Sequence, residues 1–284
     1  LSKRYLNYIL TTSAIIMLIF SMIQVGEAKF AANTIQGMWT FEEGQGKTVK
    51  DLSGNGSDGV FVGDVKWADA KFGGGIEFTG EVAQNHVRIG TEGEPATLAA
   101  LNFKDSEGFS IHAWIFPTIP PEGKCVIWKG KGCSSWSQYL LGTGAHENVG
   151  GRINQASFHY RLNSAPEKHE ALGEALPVNE WVHLVGVWDG AKIYIYVNGE
   201  LQDSKNAAGQ PWDSFEAVYI GADAGCNEPN GRCHFGGIID EIVMFNVPLS
   251  ADDVKTLGNG IEGAFAVDAA GKTTTTWGRL KSSE

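Results

Sequence analysis

The stretch Trp181–Leu201, WVHLVGVWDGAKIYIYVNGEL, decides the fold. Trp181, His183, Val185 and Val187, then Ile193, Ile195 and Val197, recur at every second position, the period that sends alternate side chains to opposite faces of a strand. Asp189-Gly190 stands between the two runs and Asn198-Gly199 follows the second. Both pairs tolerate the positive φ that a tight hairpin turn requires. Tyr194 and Tyr196 fall on the other face, so both faces of this ribbon carry apolar surface. A ribbon covered on both faces belongs inside a sandwich.

Outward from the hairpin the pattern repeats. Upstream, strands are expected at Gly37–Glu43, Val60–Val62, Ile76–Phe78, Val87–Ile89, Phe109–Pro117, Val126–Lys129, Ser137–Leu141 and Ala156–Leu162. Downstream they are expected at Ala217–Gly221 and Gly237–Phe245. Between the first two lies Val49–Gly59, a dense run of turn formers, and Trp67 is expected to anchor a loop. Only Ser250–Leu257 reads as helix, with Ser250 as cap and Asp253 as its acidic partner three residues on. Many short strands, turns between them and scarcely any helix define an all-β, two-sheet antiparallel sandwich.

Composition fits an exported domain. The 284 residues carry a formal net charge of -11, with 37 Gly and 9 Pro. The glycines show no three-residue period and serve turns. An acidic chain is a poor match for nucleic acid or an anionic membrane, and no nucleic-acid partner is expected. Lys3 and Arg4 precede an apolar stretch from Ile9 to Ile23, and Gly26-Glu27-Ala28 supplies the small residues of a cleavage site. Residues 1–28 are therefore expected to be a signal peptide, 37–258 one domain and 259–284 a C-terminal tail. Secretion to the cell surface or periplasm follows, with no membrane insertion after cleavage. Four cysteines in such a chain favour disulfides. Cys125 with Cys133 and Cys226 with Cys233 are the expected local pairs, and crossed pairings stay open. Asn55-Gly56-Ser57 fits a glycosylation sequon.

Trp39-Thr40-Phe41-Glu42-Glu43-Gly44, Asp51-Leu52-Ser53-Gly54-Asn55-Gly56, Lys71-Phe72-Gly73-Gly74-Gly75-Ile76-Glu77-Phe78, Phe109-Ser110-Ile111-His112-Ala113-Trp114, Trp181-Val182-His183, Val197-Asn198-Gly199-Glu200 and Ile239-Asp240-Glu241-Ile242 occur in that order. Together they resemble the LamG-like jelly-roll family of the concanavalin A-like lectin/glucanase group, over about Gly37 to Leu257. The resemblance implies a concanavalin A-like jelly roll. It leaves the activity open, because this fold hosts lectins, hydrolases and adhesion modules.

The search for catalysis is thin. A glycosidase needs two carboxylates facing one cleft, and the closely spaced acidic strand of laminarinase-like relatives is absent. Asp240 and Glu241 are adjacent, so on a regular strand they point to opposite faces. His112 and His183 read as packed sheet residues. The resemblance implies a structural calcium held by Asp240, with Glu42 or Glu43 and the Gly80 turn contributing; Glu42 stands where the family usually has Asp. The Asp51–Asp58 run reads as a turn. Loop aromatics suit sugar stacking: Trp136, with Tyr139 beside it, and Trp212. Asn227, Glu228, Asn230 and Arg232 are the accompanying polar groups, while Trp39, Trp114, Trp181 and Trp188 are expected in the core. The expectation is an exported non-catalytic binding or adhesion module for glycan or another extracellular macromolecule. A carbohydrate-active enzyme on the same fold, or a purely structural surface domain, is the alternative.

Overall fold

The computed structural model describes residues 30–80, 85–91, 98–130, 137–144, 154–162, 168–214, 216–222 and 233–264. Residues 1–29, Cys133, Trp136, Cys226, Asn227, Glu228, Asn230, Arg232 and everything from Phe265 onward lie outside the described residues. Phe30–Ala264 forms one compact unit.

Its strands, in chain order, are β1 (Ile35–Trp39), β2 (Thr48–Val49), β3 (Gly59–Val62), β4 (Lys66–Ala70), β5 (Gly73–Thr79), β6 (His86–Ile89), β7 (Phe109–Pro117), β8 (Cys125–Gly130), β9 (Ser137–Thr143), β10 (Gln155–Arg161), β11 (Lys168–Ala175), β12 (Val182–Trp188), β13 (Lys192–Val197), β14 (Glu200–Asn206), β15 (Val218–Ile220) and β16 (Gly236–Phe245). Helices α1 (Ala251–Leu257) and α2 (Ile261–Ala264) follow. One sheet runs β14-β13-β12-β7-β16-β5-β4, with β1 also paired to β16; the other runs β11-β10-β9-β8-β15-β6-β3-β2. The named pairings are antiparallel.

The opening hairpin is β12–β13, in register from Leu184–Val197 to Trp188–Ile193. Asp189 closes it by accepting the Ala191 and Lys192 N–H groups at 2.9 and 2.7 Å. Asn198 and Gly199 both take positive φ, 51° and 83°, the pair of values a two-residue type I′ turn needs before β14. The core lies between the sheets. Ile111, Ile115, Leu184 and Trp188 meet Ile127, Leu141, Phe158 and Val218 there. At Gly186 the two sheets approach so closely that a Cβ would collide with the Phe158 ring.

Several boundaries differ from expectation, for physical reasons. β1 stops at Trp39 because Phe41 turns to φ 59°. β14 is a half-exposed polar edge strand and β4 holds Trp67 in a strand, so neither shows a clean apolar alternation. The fold also runs past Gly258: α2 buries Ile261 and Ala264, so those residues belong to the domain rather than to a tail. The capping box of α1 is present, with Ser250 accepting from the Asp253 N–H and Asp253 accepting from the Ser250 N–H.

Candidate functional site

On β16 the strand period breaks. Ile239, Ile242 and Met244 all face the core, which leaves Asp240 and Glu241 together on the other face. The break is a bulge: the register with β7 shifts between Asp240 and Val243, and Glu241 sits at φ 46°. The expectation that these carboxyls point to opposite faces is therefore corrected. A non-glycine residue at positive φ is strained, and such strain collects at functional places.

The bulge coincides with a junction. β5 pairs with Gly236–Ile239 of β16, and β1 pairs with Ile242–Phe245 along the same edge. The end of β1 and the start of β5 thus meet beside Asp240. The Phe72 N–H donates to Asp240 Oδ2 at 2.9 Å, and Glu42 Oε1 accepts the Gly74 N–H at 3.1 Å. Only glycine fits at Gly74, where a Cβ would strike the Phe41 carbonyl. Asp240 is 0% exposed and its Oδ1 has no hydrogen-bond partner. Glu241 holds the Ile261 N–H with both oxygens, at 3.0 and 3.1 Å.

Burial pushes the Asp240 carboxyl up to about 7, with Glu241 and Glu42 adding to it against the Phe72 bond. Burial also lifts Glu241 to about 8, opposed by its bond to Ile261 and reinforced by Glu42 and Glu262. A dication beside such carboxyls would hold them ionised instead. The orphaned Oδ1 is an oxygen that a calcium ion could use. Among the described residues no three His, Cys, Asp or Glu side chains gather closely enough to hold a metal ion. A cation there would have to complete its shell from backbone carbonyls. Gly80 leaves the set: it abuts Gly236, four residues from Asp240 along β16, roughly 13 Å at the rise of a strand. The turn that serves the position is Lys71–Gly74.

Beside the bulge, on the same face, lie His112 and His183. His112 Nδ1 is 2.7 Å from His183 Nε2, and His112 Nε2 is 3.9 Å from Glu241 Oε2. Trp114 is directly opposite both Asp240 and His183 across the sheet and stacks on the His183 ring at 5.0 Å. It therefore belongs to this outer layer and not to the inter-sheet core; Trp39 and Trp188 are in the core, and Trp181 is half-buried against Phe116.

A second polar cluster sits where β8, β9 and β10 meet the 207–217 segment. The Trp212 N–H donates to the Arg161 carbonyl at 3.2 Å, and the Arg161 guanidinium lies 5.3 Å from the Trp212 ring centroid. Gln138 Nε2 donates to the Trp212 carbonyl at 2.5 Å and to Asn102 Oδ1 at 2.8 Å; Asn102 Nδ2 donates to Asp213 Oδ1 at 2.6 Å. Gln138 Oε1 is buried without a partner. Lys129 is buried nearby, donates to the Glu216 carbonyl at 2.8 Å and is pushed down to about 7 by burial, against the pull of Glu216 and Asp213. A half-buried indole beside the half-buried Asn102 and Asp213 can stack a sugar ring and bond its hydroxyls.

Of the residues expected to bind ligand, the structure places Trp212 in this cluster and removes Tyr139. Tyr139 is 0% exposed, packs on Phe103 and Phe109, and donates its hydroxyl to the Leu101 carbonyl at 3.3 Å. Asn102, Gln138, Asp213 and Arg161 were not singled out from the sequence. They come from separate segments and share no motif. The Asp51–Asp58 turn consumes its own carboxylates: Asp51 accepts from Met38, Ser53 and Ser57 N–H groups, and Asp58 from Asp51 N–H and Lys50. Of the cysteines, Cys125 and Cys233 are buried, and the Cys125 N–H donates to the Cys233 carbonyl at 2.8 Å.

Two antiparallel sheets packed face to face make this an all-β jelly-roll sandwich. The family described as the concanavalin A-like lectin/glucanases superfamily matches residues 90–255, and the chain belongs to it. No curated protein matches in sequence. Among solved structures, domain 4 of AbnA, an extracellular GH43 arabinanase of Geobacillus stearothermophilus in complex with arabinotriose, aligns at TM-score 0.55 and 16% identity over 79% of this chain and 98% of that one. The binding domain of Paraclostridial Mosquitocidal Protein 1 aligns at 0.58 and 14% over 80% of this chain and 52% of that one. Botulinum neurotoxin type C, whose cell entry is described as dependent on two ganglioside molecules, aligns at 0.58 and 14% over 80% of this chain and 51% of that one. The chain thus spans about half the length of these two toxin chains. At such identities the likeness is one of fold.

Proposed function

We propose that the protein is an exported, non-catalytic module that binds a glycan at the surface around Trp212, with a structural calcium at Asp240 and Glu42. The observation that carries this reading is the Trp212–Arg161–Gln138–Asn102–Asp213 network, which fixes a half-buried indole beside the half-buried carboxamide of Asn102 and carboxylate of Asp213. Folds of similar shape are described with arabinotriose and with gangliosides. Against catalysis, the two carboxyls that do come together, Asp240 and Glu241, are buried and each is bonded to a backbone N–H. Export rests on the basic, apolar and small-residue succession of residues 1–28, and the disulfides on the four cysteines of an exported chain.

A glycan array probed in calcium and again in chelator tests the binding reading. Retention of a defined set of sugars supports it; retention of none under either condition points to a protein partner instead. For export, the N-terminus of the secreted protein is expected at Lys29, and a mature chain that keeps the earlier residues contradicts cleavage.

A further inference from the structure

We propose that the surface around Trp212 takes a neutral glycan with free hydroxyls in preference to a sialylated or uronic one, and that Asp213 makes the choice. The inference rests on the glycan reading of that surface and names the class of ligand. Its basis is a chain of hydrogen bonds that runs one way. Gln138 Nε2 donates to the Trp212 carbonyl, which can only accept, and this settles how the buried carboxamide is turned. The same nitrogen donates to Asn102 Oδ1 at 2.8 Å, so Asn102 presents its Nδ2 to Asp213 Oδ1, at 2.6 Å. Holding this direction leaves Gln138 Oε1 buried without a partner. The opposite orientation would be worse, because it would set that oxygen against the Trp212 carbonyl.

The chain therefore ends, toward solvent, on an acceptor. The Asp213 side chain is 34% exposed, and among the described residues its Oδ2 meets only Lys104, at 3.4 Å, from a side chain 43% exposed. An ion pair between two exposed groups is weak, so a ligand hydroxyl can replace the ammonium at Oδ2. A carboxylate accepts a hydroxyl in a charge-assisted bond. Two other cations of the cluster are withdrawn: Arg161 is 5% exposed against the Trp212 ring, and Lys129 is buried on the Glu216 carbonyl. An acidic sugar stacked on Trp212 would bring its carboxylate beside Asp213, with the half-buried Glu216 near and a net chain charge of -11 behind them. Like charges so placed count against the acidic ligand.

The test is an array in which neutral oligosaccharides, arabinotriose and lactose among them, stand beside sialylated and uronic counterparts. Calorimetric titration of the tightest binder into wild type, Asp213→Asn and Lys104→Ala follows. Neutral sugars are expected to be held at least about tenfold tighter than their acidic counterparts, the scale of one charge-assisted bond. Asp213→Asn keeps an oxygen for Asn102 but loses the acceptor at Oδ2, and should weaken neutral binding by about tenfold or more. Its melting temperature should stay within a few degrees of wild type. Lys104→Ala should bind as tightly as wild type or tighter. Tighter binding of acidic sugars, or a loss in Lys104→Ala with none in Asp213→Asn, overturns the choice by Asp213 and leaves the glycan reading standing. Retention of no sugar at all overturns both. Should Asp213→Asn fail to fold, the neutral-to-acidic ratio of wild type and the Lys104→Ala titration decide.

Discussion

His112 Nδ1 and His183 Nε2 share a 2.7 Å hydrogen bond inside the outer layer of the β12–β7–β16 sheet, where the two residues are 0% and 1% exposed. One ring donates and the other accepts, so neither is free to take a further proton cheaply. Burial pushes His112 down to about 3, and burial together with the neighbouring His112 holds His183 well below the ordinary range. Folded values lie below unfolded ones near 6.5, so the unfolded chain binds more protons on the acid side. Stability is fully present above pH 6.5 and declines as pH falls toward 3, by on the order of a few kcal/mol per pair. Urea titrations at pH 7 and pH 4.5 check this, and His183→Gln is expected to flatten the slope.

Asp240 and Glu241 predict the opposite slope in the presence of chelator. Their folded values, about 7 and about 8, lie above the unfolded values of 3.8 and 4.5. Their contribution is complete below about pH 4 and is lost as pH rises through 7 to 8. Above pH 6.5 the histidines no longer change, so melting temperature should fall between pH 6.5 and 9 without calcium. Saturating calcium should remove that fall, because the ion holds Asp240 ionised. Asp240→Asn should abolish the rise in melting temperature with calcium.

Gly186 predicts a packing effect far from either site. The Phe158 ring occupies the space of a Cβ at this position, so Gly186→Ala forces the two sheets apart. The expected cost is about 1–3 kcal/mol, read as a lower urea midpoint at unchanged slope. Equal midpoints for variant and wild type would show that the sheets can shift at no cost.

Helix α1 gives a smaller and more local prediction. Ser250→Ala removes the hydroxyl that accepts the Asp253 N–H at 3.2 Å, and should cost about 1 kcal/mol. Ser250→Thr keeps the cap and should cost less than half as much.

The hairpin Trp181–Leu201 was legible because both of its faces obey a period of two and both of its turns use residues that accept positive φ. The strand Phe109–Pro117 and the capped helix after Ser250 were legible for the same local reasons. What the residues could not show is where a strand departs from its period. The bulge at Glu241 arises where β1 and β5 abut along β16, a long-range condition, and it places Asp240 and Glu241 on one face. The same condition moved the supporting turn from Gly80 to Lys71–Gly74. Tyr139 was misplaced by phase: its strand was expected, but the face it occupies is set by pairing with Tyr160 and Lys129, which sequence spacing does not reveal. The Asn102–Gln138–Asp213 network joins three distant segments and so had no local signal.

The account turns most directly on Trp212. The decisive measurement is the affinity of wild type and Trp212→Ala for the tightest-binding sugar of the array, with melting temperature taken on both. Loss of stacking should weaken binding at least about tenfold while the half-buried position leaves the melting temperature within a few degrees. Equal affinities for the two proteins would contradict glycan recognition at this surface.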